Sequence, residues 1–256
     1  MDLPRNLFKS MLKDGLRPIG SWVMMDNAVA AEAMSWAGFD FLVVDMEHSA
    51  ADTRDARAQI QAIGGNPACS AVVRVPGHDP VGVKRVLDVG AQTLMFPMIH
   101  SADDAKAAVA ATRYPPQGIR GVAAMHRGSR YGAVDGYLGK AGAEIAIIAQ
   151  IETMRGVEAA ERIAATDGID ALFIGPADLS ADMGMLGGAA SDKVFVEAGR
   201  IAAAARKAGK GVGALAADET LAARYLELGC TFIAIASDLA FMMQRARAAA
   251  AKLRAG

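Results

Sequence analysis

Short apolar runs alternate along this chain with longer segments in which apolar residues recur at helical spacing. Apolar runs this short are typical of strands that are buried on both faces of a parallel sheet. Eight of them predict strands at 18–24, 39–45, 71–75, 93–98, 145–151, 171–174, 211–216 and 232–236. The segments between them predict helices at 4–13, 28–37, 53–63, 80–89, 102–112, 157–165, 193–208, 219–228 and 240–253, several of which stop at a glycine.

This alternation implies parallel strands joined by right-handed crossovers, and eight units favour closure into a barrel. The length of 256 residues suits one such barrel. No Gly-x-Gly-x-x-Gly follows the first strand, which weakens the alternative of a dinucleotide-binding fold. The sequence therefore predicts the α/β class and a single (β/α)8 TIM-barrel domain over residues 1–256.

Composition narrows the class of protein further. The chain is 53% hydrophobic and has a net charge of −1, so it lacks the basic surface expected of a protein that binds nucleic acid or an anionic membrane. No apolar run is long enough to cross a bilayer, and residues 1–16 lack the apolar core of a signal peptide. Two isolated cysteines, Cys69 and Cys230, are interpreted as reduced thiols. We expect a soluble cytoplasmic protein.

Two predicted strands end close to a carboxylate. The run 145–151 leads directly to Glu152, and the run 171–174 leads to Asp178 through Gly175 and Pro176. Polar groups at the carboxyl ends of parallel strands are where α/β proteins place their chemistry. Glu152 alone could be a surface charge and Asp178 alone could cap a helix that begins at Leu179. Together they favour a site for a hard divalent cation, Mg²⁺ or Mn²⁺.

Other strand ends add a possible base and a cation. The second strand leads to His48 beside Asp45 and Glu47, and the third carries Arg74. His48 could be structural, and Arg74 could simply pair with Glu47 or Asp88. They could equally be a proton acceptor oriented by an acid and the cation that stabilises an oxyanion. His78, His100 and His126 have no partner that the sequence identifies, and we interpret them as structural.

Two Gly-rich connections stand out because they are longer than most loops inside a compact domain. They span 114–136 and 182–190. A loop of the first length is usually a lid, a binding loop or a disordered segment. We expect these two connections to select the second substrate.

A cation, a fixed arginine and a base around one small pocket suit a particular reaction. A 2-oxo acid can chelate a metal through its carboxylate and carbonyl oxygens. The metal and the arginine then stabilise the enolate that forms when a carbon–carbon bond breaks. The base moves the proton of the aldol hydroxyl.

Four segments carry a resemblance to a known family. They are Val44-Asp45-Met46-Glu47-His48, Tyr114-Pro115-Pro116-Gln117-Gly118-Ile119-Arg120-Gly121, Gln150-Ile151-Glu152 and Gly175-Pro176-Ala177-Asp178-Leu179-Ser180. In these segments and their order the chain resembles the HpcH/HpaI aldolases, which are metal-dependent class II pyruvate aldolases. The resemblance covers nearly the whole chain.

The resemblance implies reversible cleavage of 4-hydroxy-2-oxo acids to pyruvate, or hydroxypyruvate, and an aldehyde. It implies Mg²⁺, Mn²⁺ or Co²⁺ on Glu152 and Asp178, with Arg74, Gln150 and the backbone at Ala177 helping to hold the donor. It also implies a barrel whose last helix is exchanged between subunits, in a homohexamer built from dimers.

In the same resemblance His48 is the proton acceptor, Arg74 stabilises the transition state, and Asp88 raises the basicity of His48. Asp88 is predicted late in a helix, near the far end of the barrel, from where it is hard to reach His48 within one chain, although a neighbouring subunit could supply it. Asp45 is the local alternative.

The chain departs from the family at two places. The loop after Asp178 reads Met183-Gly184-Met185-Leu186-Gly187-Gly188 where prolines are common, and His126 stands where a small apolar residue is expected.

Two other functions stay open. One is a lyase of CoA thioesters, of the citrate and malyl-CoA type, and the other is a non-catalytic metal-binding oligomer. The aldehyde, the stereochemistry and the preferred metal are not determined by the residues.

Overall fold

The computed structural model describes residues 1–255 and contains a closed barrel of eight parallel strands. Each strand pairs with the next, and the eighth pairs with the first. The strands are β1 (Ile19–Val23), β2 (Phe41–Asp45), β3 (Ser70–Arg74), β4 (Thr93–Phe96), β5 (Ala146–Ile151), β6 (Ala171–Ile174), β7 (Gly211–Ala216) and β8 (Phe232–Ser237). The predicted (β/α)8 TIM barrel is confirmed.

Helices follow the strands around the outside of the barrel. They are α1 (Leu7–Lys13), α2 (Ala28–Ser35), α3 (Thr53–Ile63), α4 (Pro80–Asp88), α5 (Ala102–Thr112), α6 (Tyr137–Lys140), α7 (Met154–Ala164), α8 (Pro176–Asp182), α9 (Asp192–Lys207), α10 (Glu219–Glu227) and α11 (Asp238–Arg254). Short 3-10 turns occur at Arg127–Ser129 and Ala141–Glu144. Side-chain N-caps begin most of the long helices, as the Asp52 capping box does for α3.

The barrel interior is filled by large apolar side chains. Phe41 and Phe232 lie near its amino-terminal end, where Phe8 of α1 packs edge-on against both, with ring centroids 5.1 and 5.3 Å away. Gly213 makes room for this layer, because a Cβ at that position would collide with the Phe232 ring. Helix α1 therefore closes one end of the barrel, and the other end stays open for chemistry.

Two helices were not predicted: the four-residue α6 in the long connection before β5, and α8. The residues after β6 form α8, which has Pro176 at its first position. The fixed φ of proline suits that position, and this was the available signal. Asp178 lies in the first turn of the helix, so the alternative of an N-cap at Asp178 is wrong.

The long connection between α5 and β5 lies at the amino-terminal end of the barrel, because it joins the end of a helix to the start of a strand. Arg127 in it donates to the carbonyl of Val89, which follows α4. Within one chain it is therefore at the opposite end from the carboxyl ends of the strands. The expectation that it selects a substrate cannot hold within a single subunit.

Helix α11 is almost entirely exposed, and Asp238 is its only buried residue. Leu239, Met242 and Leu253 are among its exposed apolar side chains. Exchange of this helix between subunits stays a prediction. Within residues 1–255, none of the helices has the length and apolar character needed to cross a membrane.

Candidate active site

A cleft of about 630 Å³ opens at the carboxyl ends of the strands. Its lining includes every predicted site residue except Asp88, namely His48, Arg74, Gln150, Glu152, Ala177 and Asp178. These residues come from the ends of β2, β3 and β5 and from the first turn of α8. Parallel closure of the barrel thus brings together side chains that are far apart in sequence.

Arg74 is held as a fixed cation. Strand pairing places it directly beside Asp45, and its Nε and Nη2 donate to the two carboxylate oxygens at 2.8 and 2.7 Å. Its Nη1 forms an ion pair with Glu47 at 2.8 Å, and its guanidinium lies over the Trp22 ring, 4.2 Å from the centroid. Two of its five N–H groups donate to Asp45, and the other three make no hydrogen bond within residues 1–255. Trp22 was not identified from the sequence, although it lies within the first predicted strand.

Asp45 is fully buried and committed to Arg74, and it also accepts a hydrogen bond from the backbone N–H of Glu47. The sequence had offered Asp45 as an alternative partner that orients His48. In the structure its carboxylate holds Arg74 instead. Arg74, in turn, pairs with Asp45 and Glu47 and not with Asp88.

Asp88 lies at the end of α4, away from the cleft. Its carboxylate pairs with the buried Arg120 at 2.8 Å and lies 3.6 Å from Nε2 of His126. Within one chain, Asp88 therefore cannot act on His48, and that role stays a prediction that requires a second subunit. His126 is partly tied to its own loop, because its Nδ1 accepts from the N–H of Ser129.

Glu152 is 1% exposed and immediately follows β5. Burial raises the pKa of its carboxyl to about 7, and hydrogen bonds from Gln150 and from the backbone N–H of Met98 oppose that rise. Met98 donates to Oε1 at 2.7 Å from a left-handed backbone with φ of 52°, and Gln150 Nε2 donates to Oε2. A left-handed conformation is strained for a non-glycine residue, and here it directs the N–H of Met98 at the Glu152 carboxylate. The carboxylate is thus oriented on both of its oxygens.

The donor set fits a hard divalent cation. Glu152 and Asp178 offer carboxylate oxygens, and Oε1 of Gln150 is buried without a hydrogen-bond partner among residues 1–255. A Cβ at Gly175 would overlap the Glu152 carboxylate, so this glycine keeps space beside it. Oxygen ligands of this kind suit Mg²⁺ or Mn²⁺. Residues 1–255 contain no preassembled group of three or more His, Cys, Asp and Glu side chains for a metal, so further ligands would come from the substrate or from water.

Glu47 joins the two halves of the site. Burial raises its pKa, whereas the charges of Arg74 and His48 lower it. The charges of Glu47 and Asp178 in turn raise the pKa of Glu152. The sequence had offered Glu47 both as a neighbour of His48 and as a possible partner of Arg74, and the structure shows the pair with Arg74.

The fold and the site define an enzyme-like (β/α)8 barrel with a histidine, a fixed arginine and two carboxylates at its open end. The family model described as HpcH/HpaI aldolase/citrate lyase matches residues 18–244. This chain belongs to that family.

Similar proteins are known by sequence and by structure. A 4-hydroxy-2-oxovalerate aldolase of Novosphingobium aromaticivorans is 46% identical over 238 residues, which cover 93% of this chain and 90% of that protein. A 4-hydroxy-2-oxo-heptane-1,7-dioate aldolase of Salmonella dublin is 45% identical, with 98% and 95% covered. The crystal structure of an HpcH/HpaI aldolase/citrate lyase family protein from Burkholderia cenocepacia J2315 superposes with a TM-score of 0.94 at 43% identity, covering 97% of this chain and 99% of that one.

Proposed function

We propose that this protein is a divalent-metal-dependent aldolase, a carbon–carbon lyase that reversibly cleaves 4-hydroxy-2-oxo acids to pyruvate, or hydroxypyruvate, and an aldehyde. The observation that carries the proposal is the convergence of His48, Arg74, Glu152 and Asp178 on one cleft. The names of the two similar aldolases agree with a 4-hydroxy-2-oxo acid as the substrate class.

Glu152 and Asp178 would hold the cation, which we propose to be Mg²⁺, Mn²⁺ or Co²⁺. When bound, it supplies positive charge close to the oxygens of the 2-oxo acid. Gln150 lies in the same cleft and, with the backbone N–H of Ala177, is suited to hold the donor. The N–H groups in the first turn of a helix such as α8 have no acceptor within the helix, so that of Ala177 can donate to a carboxylate.

The remaining steps are assigned to side chains of the cleft. His48 takes the proton of the C4 hydroxyl, the C3–C4 bond breaks, and its electron pair passes into the enolate of pyruvate while C4 leaves as the aldehyde carbonyl. Arg74 stabilises the negative charge on the enolate oxygen, and its pairs with Asp45 and Glu47 fix it before the reaction begins. A proton from solvent added to C3 then completes pyruvate, and His48 releases the proton that it took to solvent.

Exchange of the methyl protons of pyruvate with deuterium, followed by proton NMR, tests enolate formation without an aldehyde. We expect exchange with Mn²⁺ and none after thorough chelation. In the full aldol reaction, His48→Ala and Arg74→Ala should each lower kcat by about a hundredfold or more. Exchange that persists after chelation refutes the metal's role, and normal turnover by both variants refutes the two assignments.

Absence of exchange in the metal-loaded wild-type protein would instead favour the lyase of CoA thioesters or a non-catalytic oligomer. A matched control is Lys193→Ala, because Lys193 is exposed on α9 and does not line the cleft. This variant should exchange at the wild-type rate.

We further propose a homohexamer in which α11 is exchanged and Asp88 of one subunit serves His48 of another. The exposed apolar residues of α11 and the position of Asp88 outside its own cleft support this assembly. Co-refolding inactive His48→Ala chains with inactive Asp88→Ala chains should restore part of the activity, because some interfaces then combine an intact His48 with an intact Asp88. No recovery in mixed hexamers would refute the sharing.

A further inference from the structure

His126 is buried beside Asp88 at the amino-terminal end of the barrel, at the position where the family resemblance predicts a small apolar residue. Its side chain is 8% exposed, and its Nε2 lies 3.6 Å from Oδ1 of Asp88. The imidazole ring packs edge-on against Tyr137 of α6, with the ring centroids 5.2 Å apart. Because little water separates this histidine from the carboxylate, the two groups affect each other more than an exposed pair would.

The loop fixes which edge of the His126 ring faces Asp88. The N–H of Ser129 donates to Nδ1 of His126 at 3.2 Å. A backbone N–H only donates, so Nδ1 is the acceptor and, in the neutral ring, Nε2 carries the proton. Nε2 is buried and has no hydrogen-bond partner among residues 1–255. Its N–H is therefore free to donate to Asp88, over a gap that a small movement of either side chain closes.

Arg120 and His126 both approach the same oxygen of Asp88. Nη2 of the buried Arg120 donates to Oδ1 at 2.8 Å, and this is the oxygen that lies 3.6 Å from His126. Oδ2 makes no hydrogen bond or ion pair within the described part of the chain. The Asp88 side chain is 23% exposed and lines a hollow of about 310 Å³ on the outside of the barrel. One carboxylate oxygen is thus held from within, and the other is left for a group that enters from outside.

Two charged side chains dominate the surroundings of His126. Burial lowers the pKa of His126, the charge of Asp88 raises it, and the charge of Arg120 lowers it. Arg127 donates to a backbone carbonyl that follows α4. Tyr114 lies beneath the guanidinium of Arg120, and burial raises its pKa to about 12, so it stays neutral. Three exposed arginines, screened by water, line the hollow beside Asp88: Arg54, Arg57 and Arg85.

We propose that His126 is a positioning residue of the shared active site, which competes with His48 of a second subunit for the Asp88 carboxylate and so limits the basicity of that histidine. A hydrogen bond to a carboxylate stabilises its charged form and weakens its pull on any other proton donor. This role rests on the proposed aldolase function and on the proposed sharing of Asp88. It adds the group that sets the pH range in which the shared base works.

Two substitutions separate the two contacts of His126. Oδ1 of an asparagine takes nearly the place of Nδ1, so His126→Asn keeps an acceptor for Ser129 and loses the contact with Asp88. A glutamine reaches further, so His126→Gln keeps a donor near Asp88 but has no proton to gain.

The measurement is kcat/KM of the aldol reaction against pH, with Mn²⁺ saturating throughout, because its acid limb reports protonation of the base. In His126→Asn, Asp88 acts on His48 alone, so we expect the midpoint of this limb to move to higher pH by about half a pH unit. The plateau should stay within about twofold of the wild type. His126→Gln should move the midpoint less, in the same direction. Arg130→Gln is the matched control, because Arg130 is exposed in the same loop, and it should leave the limb in place.

A role confined to folding of the loop would lower the plateau and leave the acid limb unchanged. Recovery of activity in mixed hexamers of His48→Ala and Asp88→Ala chains, together with a wild-type limb in His126→Asn, refutes the role of His126 and leaves the shared site intact. No recovery refutes the sharing of Asp88 and the role of His126 with it. Loss of deuterium exchange with every metal refutes the aldolase proposal itself. If His126→Asn does not fold, an unchanged limb in His126→Gln refutes the proposal.

Discussion

The buried pair between Arg74 and Asp45 leads to the sharpest prediction about stability. Asp45 is fully buried, the side chain of Arg74 is 8% exposed, and two charge-assisted hydrogen bonds join them. In Asp45→Asn, an amide of nearly the same shape can keep only one of those bonds. It also leaves a buried cation with Glu47 as its remaining acid partner. We expect the free energy of unfolding to fall by about 3 kcal/mol.

The same change should affect catalysis less than removal of Arg74 would. The Glu47 pair and the contact with the Trp22 ring still restrain the guanidinium, so we expect kcat of the aldol reaction to fall about tenfold to a hundredfold. Urea unfolding followed by circular dichroism and steady-state kinetics measure the two effects.

Asp103→Asn is the matched control. Asp103 pairs with Lys106 at 3.0 Å, but its side chain is 89% exposed, so loss of this pair should change neither quantity measurably. If Asp45→Asn unfolds at the same urea concentration as Asp103→Asn, the buried pair does not stabilise the fold and the reasoning is refuted.

Three further results are expected. Because burial raises the pKa of Glu152 to about 7 from 4.5, the folded metal-free chain holds a proton between these pH values that the unfolded chain has lost. Its free energy of unfolding should therefore fall as pH rises through this range. Over the same range, Mn²⁺ binding, measured by electron paramagnetic resonance, should become tighter, because the proton and the cation compete for one carboxylate. Gly175→Ala should weaken Mn²⁺ binding about tenfold or more, because the new Cβ would displace the Glu152 carboxylate, whereas Gly139→Ala should not, since nothing lies within 4 Å of the added atom. Burial raises the pKa of the Cys69 and Cys230 thiols to about 12, so iodoacetamide should label neither at about pH 8 until the chain unfolds.

Each of these expectations has a contrary outcome. Mn²⁺ affinity that does not change with pH would show that Glu152 is not the titrating ligand. Equal affinities in Gly175→Ala and Gly139→Ala would show that the space beside Glu152 is not needed. Rapid labelling of folded protein would mean that at least one cysteine is accessible.

The strands and the strand-end acids could be predicted from the sequence for a topological reason. Once eight apolar runs alternate with helices, parallel closure places Glu152, Asp178 and Arg74 at one end, whatever their separation in sequence. The same argument could have placed the long connection before β5 correctly, since a segment from a helix to a strand must lie at the other end. Its length had suggested a lid, and chain order was the better signal.

The pairing of Asp45 with Arg74 could not be predicted, because it depends on strand register. Asp45 meets Arg74 because β2 and β3 align those two residues, and a shift of one residue would have turned one side chain away. The role of Met98 was hidden for another reason. Met98 has a left-handed backbone, which non-glycine residues rarely adopt, so the sequence gives no sign of it. Only the folded loop shows that the N–H of Met98 donates to Glu152.

The packing of Phe8 has a consequence for synthesis on the ribosome. Its ring is buried by Phe41, which is made early, and by Phe232, which belongs to the last strand. During translation, the side chain of Phe8 in the first helix therefore stays incompletely buried until β8, the last of the eight strands, has been synthesised. A nascent chain of this topology is exposed to aggregation for most of its elongation, and β8 is the segment whose emergence ends that exposure.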